Sequence, residues 1–100
     1  MKVQSDPEGF EIRALAGMVN LAGKNALEIG CGYGRLTLRY AKQTAHVTAI
    51  DSFAPWIQQA KDSLPDDLQD HVDFRHIAFE DFAAESPPAV FDLAILSWSL

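Results

Sequence analysis

The stretch LEIGCGYGRLT, residues 27–37, sets Gly30, Gly32 and Gly34 in alternate positions behind an apolar run, with Glu28 two residues ahead of the first. Ordered glycine loses more backbone entropy than any other residue, so this grouping implies a turn, or an approach to the main chain, that side chains would block. Before it, NALEIGC (25–31) reads as a short buried strand. After it, GRLTLRYAKQT (34–44) reads as a helix with Leu36, Tyr40 and Ala41 turned inward.

Working outward, HVTAIDS (46–52) is a second strand, rich in β-branched residues. A helix over 55–63 follows, with Trp56, Ile57, Ala60 and Leu64 on its buried side and Pro65 as its stop. PDDLQD is an acidic turn, and HVDFRHIAF (71–79) alternates apolar and polar residues as a third strand would. A loop through Pro87 and Pro88 leads to VFDLAILSWSL (90–100), an almost continuously apolar fourth strand. Upstream, Asp6 and Pro7 suit the start of a helix over 7–21 whose inner face is Phe10, Ala14, Met18 and Leu21, with Gly23 ending it. The division expected is a leader helix in residues 1–24 and a strand–helix unit in 25–100. Strands alternating with helices call for an α/β fold, a parallel sheet with helices on its faces.

Composition narrows the function. The net charge of −6 argues against a general nucleic-acid binder, which needs a basic stripe to displace counterions. The chain opens without the apolar core of a signal peptide, and its longest apolar stretch is interrupted by Asp92, so no membrane span is expected and cytoplasm is the default compartment. Cys31 is the single cysteine, which excludes a disulfide framework. His46, His71 and His76 share no metal-ligand spacing and read as strand-surface residues; no metal site is expected. Arg35 and Arg39 read as a solvated helix face. Trp56 reads as core, and Trp98 suits either core or pocket.

In an open parallel sheet, ligands gather outside the carboxyl ends of the strands. Four segments land there: EIGCGYG, DSF, AFED and SWSL. Gly30 permits the turn, Gly32 lets a ligand press against bare backbone, and Gly34 opens the helix. Asp51 ends the second strand about 20 residues after the first glycine, the spacing of a carboxylate that accepts both ribose hydroxyls. A carboxylate offers two acceptor oxygens in one plane, which matches vicinal hydroxyls. The constellation points to a nucleoside. A plain tight strand–helix turn is the alternative for the glycines alone, and a helix cap for Asp51.

The dinucleotide fingerprint would need glycine where Arg35 stands, and the phosphate loop would need a Lys-Ser/Thr pair that is missing. The pattern acidic-x-Gly-x-Gly-x-Gly resembles motif I of the class I S-adenosylmethionine-dependent methyltransferases. The resemblance runs through Asp51 to FDLAIL. It implies a Rossmann-like sheet of order 3-2-1-4 within a seven-stranded fold, and S-adenosyl-L-methionine as cofactor. Glu28, directly or through water, and the backbone of Gly30 and Gly32 would hold the methionine end, with Cys31 a small filler and Gly34 closing the loop. Asp51 would bind the ribose, with Ser52 and Phe53 flanking the adenine. Phe79 and Glu80 match the adenine loop, with Asp81 the alternative acceptor, and Ser97 would stand beside the sulfonium and incoming substrate. No general base and no methyl acceptor are identifiable.

The family resemblance also predicts strands five to seven, so the expectation is a truncated or split domain with a complementing C-terminal half. Competing readings are a nicotinamide- or flavin-dependent oxidoreductase and a non-catalytic nucleoside- or partner-binding module.

Overall fold

The computed structural model describes residues 21–85 and 91–97. The helix read over 7–21 lies almost wholly outside them, as do the Pro87–Pro88 loop and Trp98. Four strands, β1 (Asn25–Ile29), β2 (His46–Asp51), β3 (Val72–His76) and β4 (Leu93–Leu96), form one sheet of order β3-β2-β1-β4. Every pairing is parallel. Between β1 and β2 stand a short helix α1 (Thr37–Tyr40) and a 3-10 turn (Ala41–Gln43). Helix α2 (Ala54–Ser63) links β2 to β3, and α3 (Phe79–Glu85) follows β3. This is the α/β architecture the alternation of patterns calls for.

Strand side chains alternate between two apolar layers. On one face Ala26, Val47, Ala49, Phe74 and Ile95 pack with Leu36, Tyr40, Ile57 and Ala60 of the α1 and α2 segments. On the other, Leu27 and Ile50 pack with Phe82 of α3, Ile29, Ile77 and Phe91. Asp92, the one charge in the last apolar stretch, has a structural use. Its Oδ2 accepts from the Asn25 backbone N–H at 2.8 Å, tying the start of β4 to the start of β1.

Two element boundaries differ from the sequence reading. The third strand stops at His76, and residues 79–85, read as strand end and loop, are helical. Alternation carried on through Ile77 and Phe79, but Glu80 and Asp81 occupy a first helical turn, where carboxylates are favoured. Phe82 is the residue this helix buries. The second helix is shorter than its sequence pattern because Gly34 and the residues after it are spent on the loop, with α1 beginning only at Thr37.

The register brings the strand ends level. Ile29 pairs with Ile50 on one side and Leu96 on the other. Beyond that level, Gly30 and Cys31 both donate to the Ile50 carbonyl, Ile77 to that of Asp51, and Ser97 to that of Ile29. The glycine loop, Asp51, the β3–α3 connection and Ser97 thereby share one edge of the sheet.

Candidate functional site

Two adjoining hollows open along this edge. The first, about 320 Å³, has the Gly30–Gly32 backbone as its floor and Tyr33, Arg35, Trp56, Gln59 and Ser97 among its walls. The second, about 510 Å³, is bounded by Asp51, Ser52, Ala78, Phe79 and Glu80, with Ile29, Ile50 and Ile77 beneath. Gly30 and Trp56 belong to both.

Asp51 is the hinge of the arrangement. Its Oδ2 accepts from the Gly32 N–H at 2.9 Å and its Oδ1 from the Phe53 N–H at 2.9 Å. One carboxylate so fixes the glycine loop against the loop that follows β2. Each oxygen keeps a second lone pair for a ligand hydroxyl. The helix-cap alternative for Asp51 is not realised: α2 begins after Phe53 with no side-chain cap.

Gly32 leaves its side of the loop bare. A Cβ there would meet only the Trp56 ring, at 3.8 Å. Gly34 does something else. Its carbonyl accepts from the Leu38 N–H at 3.0 Å in the turn that precedes α1, and it lines neither hollow. A Cβ on Gly34 would stand 2.8 Å from Phe74 Cζ, so this glycine admits the β3 side chain beneath the loop.

Glu28 departs furthest from the sequence expectation. It is fully buried and lines neither hollow. Oε1 accepts from Thr37 Oγ1 at 2.7 Å and from the Tyr40 hydroxyl at 2.6 Å, while Oε2 accepts from Ser97 Oγ. Burial raises its pKa above the usual carboxylate value, against the pull of the three hydroxyls. Burial and then the Glu28 charge push the Tyr40 phenol up as well. Glu28 therefore braces β1, α1 and the end of β4, and Ser97 alone of this cluster reaches the first hollow.

Cys31 lines the first hollow yet is nearly buried, with its thiol directed at the Gly32 carbonyl. Burial, then the Glu28 and Asp51 charges, hold that thiol far above its ordinary pKa, which disfavours the thiolate form. Ser52, Phe79 and Glu80 line the second hollow. Phe53 is exposed beside it, packing edge-on to Trp56, and Asp81 is exposed on α3 without lining the hollow. His71 Nε2 lies 2.6 Å from the Ala41 carbonyl and His76 Nε2 3.1 Å from that of Ser52, so both rings meet backbone.

Sequence reasoning missed Trp56, which is 43% exposed over both hollows and not core, while Ile57 and Ala60 carry the packing of α2. It also missed Arg35, read as a solvated helix face and found on the wall of the first hollow before α1 begins. The position of Trp56 on the first turn of a helix that starts at the ligand edge is the signal that could have found it.

The architecture is that of a Rossmann-like α/β domain, a parallel sheet of order β3-β2-β1-β4 with helices on its faces. Residues 26–100 match the methyltransferase domain family, and the chain belongs to that family. The chain is 45% identical over 75 residues to the ubiquinone biosynthesis O-methyltransferase of Xylella fastidiosa (strain M23), covering 74% of this chain and 29% of that protein. It thus spans under a third of the length of the curated relatives it matches first. Among solved structures, an S-adenosylmethionine dependent methyltransferase from Mesorhizobium loti aligns with a TM-score of 0.70 at 22% identity, covering 86% of this chain and 38% of that one. Magnesium protoporphyrin IX methyltransferase from Synechocystis PCC 6803, solved with bound S-adenosylmethionine, aligns with a TM-score of 0.69 at 21% identity, over 89% and 41% of the two chains. At such identities these two establish the shared fold.

Proposed function

We propose that this chain holds S-adenosylmethionine across the two hollows and serves methyl transfer to an oxygen acceptor. The observation that carries the reading is the seam at Asp51, where one carboxylate meets both the bare glycine loop and the second hollow. In this assignment the ribose hydroxyls use the remaining lone pairs of Asp51, and the adenine lies between Ser52 and the Phe79–Glu80 turn. The amino-acid end runs along Gly30–Gly32 past Ser97. The unit from residue 25 onward is the cofactor-binding part of the domain, and cytoplasm is its proposed place of action.

The residues present fit that ligand. A side chain at position 32 would occupy the opening over the loop, and the paired hollows divide as a nucleoside joined to an amino acid divides. Glu28 enters as the brace behind Ser97, not as a direct contact. The sulfonium of the cofactor supplies an already activated methyl group, so the chain has to align it and exclude water. Support for an oxygen acceptor comes from the relatives, which are named O-methyltransferases.

Calorimetric titration with S-adenosylhomocysteine and with NAD tests the reading: the first is expected to bind and the second not. Binding of NAD alone would replace it with the oxidoreductase reading. Asp51→Ala is expected to weaken S-adenosylhomocysteine binding by about 1–3 kcal/mol, the range for losing hydrogen bonds to a charged group. Unchanged affinity in that variant would retire the ribose assignment.

A further inference from the structure

We infer that Trp56 determines how strongly the site favours a positively charged sulfur over a neutral one, and so favours the methyl donor over its demethylated product. The inference rests on the cofactor reading above and adds to it a residue and a selectivity.

Among the described residues, Trp56 is the only side chain on the walls of both hollows, and Gly30 is the only other residue they share. A ligand with its sugar at Asp51 and its amino-acid end along the glycine loop must pass its connecting atom, the sulfur, through that seam. The indole is held there. Its six-membered ring lies 3.8 Å from where a Gly32 Cβ would stand, and Phe53 packs against it with ring centroids 4.9 Å apart at 73°. Phe53 is in turn anchored through its N–H to Asp51.

An aromatic face attracts a cation through its quadrupole, and indole does so best among the side chains. Ile57 and Ala60 bury the face of α2, so an apolar filler at 56 is not what the fold needs. The other charged groups near the seam, among them Asp51 and Glu80 on the second hollow, also act on the sulfonium charge, but they stay in place when Trp56 is replaced. Asp51 meets the sugar, Arg35 lies on the wall of the first hollow, and Glu28 is closed off behind Ser97. Donor and product share adenine, ribose and amino acid; they differ by one methyl and one positive charge. The change in their affinity ratio when Trp56 is replaced therefore isolates what the ring contributes, and losing the charge at transfer loosens the product's hold on the ring.

The test is calorimetric titration of the chain and of Trp56→Leu and Trp56→Phe with S-adenosylmethionine, S-adenosylhomocysteine and the amine analogue sinefungin. Trp56→Leu is expected to weaken both cationic ligands by about fivefold, the size of a partly exposed cation–π contact, and the neutral thioether by less than about twofold. Trp56→Phe should fall between leucine and tryptophan. Trp56 is exposed, so the variants should fold, which far-ultraviolet circular dichroism checks. Equal weakening of all three ligands would reduce Trp56 to a plain wall and overturn the inference while leaving the cofactor reading intact. A wild-type chain that binds none of them would overturn both.

Discussion

Gly34→Ala is expected to destabilise the chain by about 2–5 kcal/mol, from two additive causes. Gly34 sits at φ +88, a region where an L side chain costs about 1–2 kcal/mol. The new methyl would also lie 2.8 Å from Phe74 Cζ and 3.1 Å from Cε1, with Ala60 Cβ at 3.4 Å. Phe74 is 3% exposed, so it has no room to swing away, and overpacking a filled core costs about 1–3 kcal/mol more. At about 4–8 °C per kcal/mol for a domain of this size, the melting temperature should fall by at least about 8 °C. Gly23→Ala separates the causes, because Gly23 has φ +73 with nothing within 4 Å of its would-be Cβ. That variant should lose only the backbone part, about 1–2 kcal/mol. In a Phe74→Leu background the two glycine variants should converge. Equal losses at positions 23 and 34 in the native background would show that Phe74 does not press on the loop.

The same pair of residues shows what a sequence makes legible and what it does not. Alternating glycines behind a strand announce a tight loop, because the backbone requirement is local. Phe74 lies forty residues further on, so the packing role of Gly34 needs the fold. Glu28 behaves likewise: its type and position were readable, but the hydroxyls that enclose it come from Thr37 and Tyr40 of α1 and from Ser97 just past the end of β4. The sheet order was implied by the family resemblance, and the alternation of strands and helices supported it. Helix α3 was hidden because apolar alternation in HVDFRHIAF runs past the true end of the strand at His76. Trp56 was misplaced because helical periodicity reports which way a residue faces, not whether its turn of helix overhangs the sheet edge. Local backbone demands were legible; non-local partners were not.

Glu28→Ala is expected to be the most damaging single change to the polar framework, and Glu28→Gln the most informative. Alanine leaves the Thr37 and Tyr40 hydroxyls buried without their acceptor, and opens a cavity between β1 and α1. Each buried group stranded in this way costs about 1–3 kcal/mol, so a loss of about 3 kcal/mol or more follows. Ser97 would lose its tether too, which loosens the wall of the first hollow. Glutamine keeps one carbonyl acceptor and removes the ionisation. Because burial holds the native Glu28 pKa above its ordinary value of 4.5, the folded chain retains a proton that the unfolded chain has already released. Stability from this group is therefore complete below about pH 4.5 and declines as pH rises from there through the raised native value. Glu28→Gln should be the less stable protein at pH 4 and should gain on wild type as pH rises above about 4.5 until the native carboxyl ionises, as read from urea unfolding at a series of pH values. A constant difference between the two across that range would mean that the buried carboxyl does not change its proton on unfolding, and that the three hydroxyls outweigh its burial.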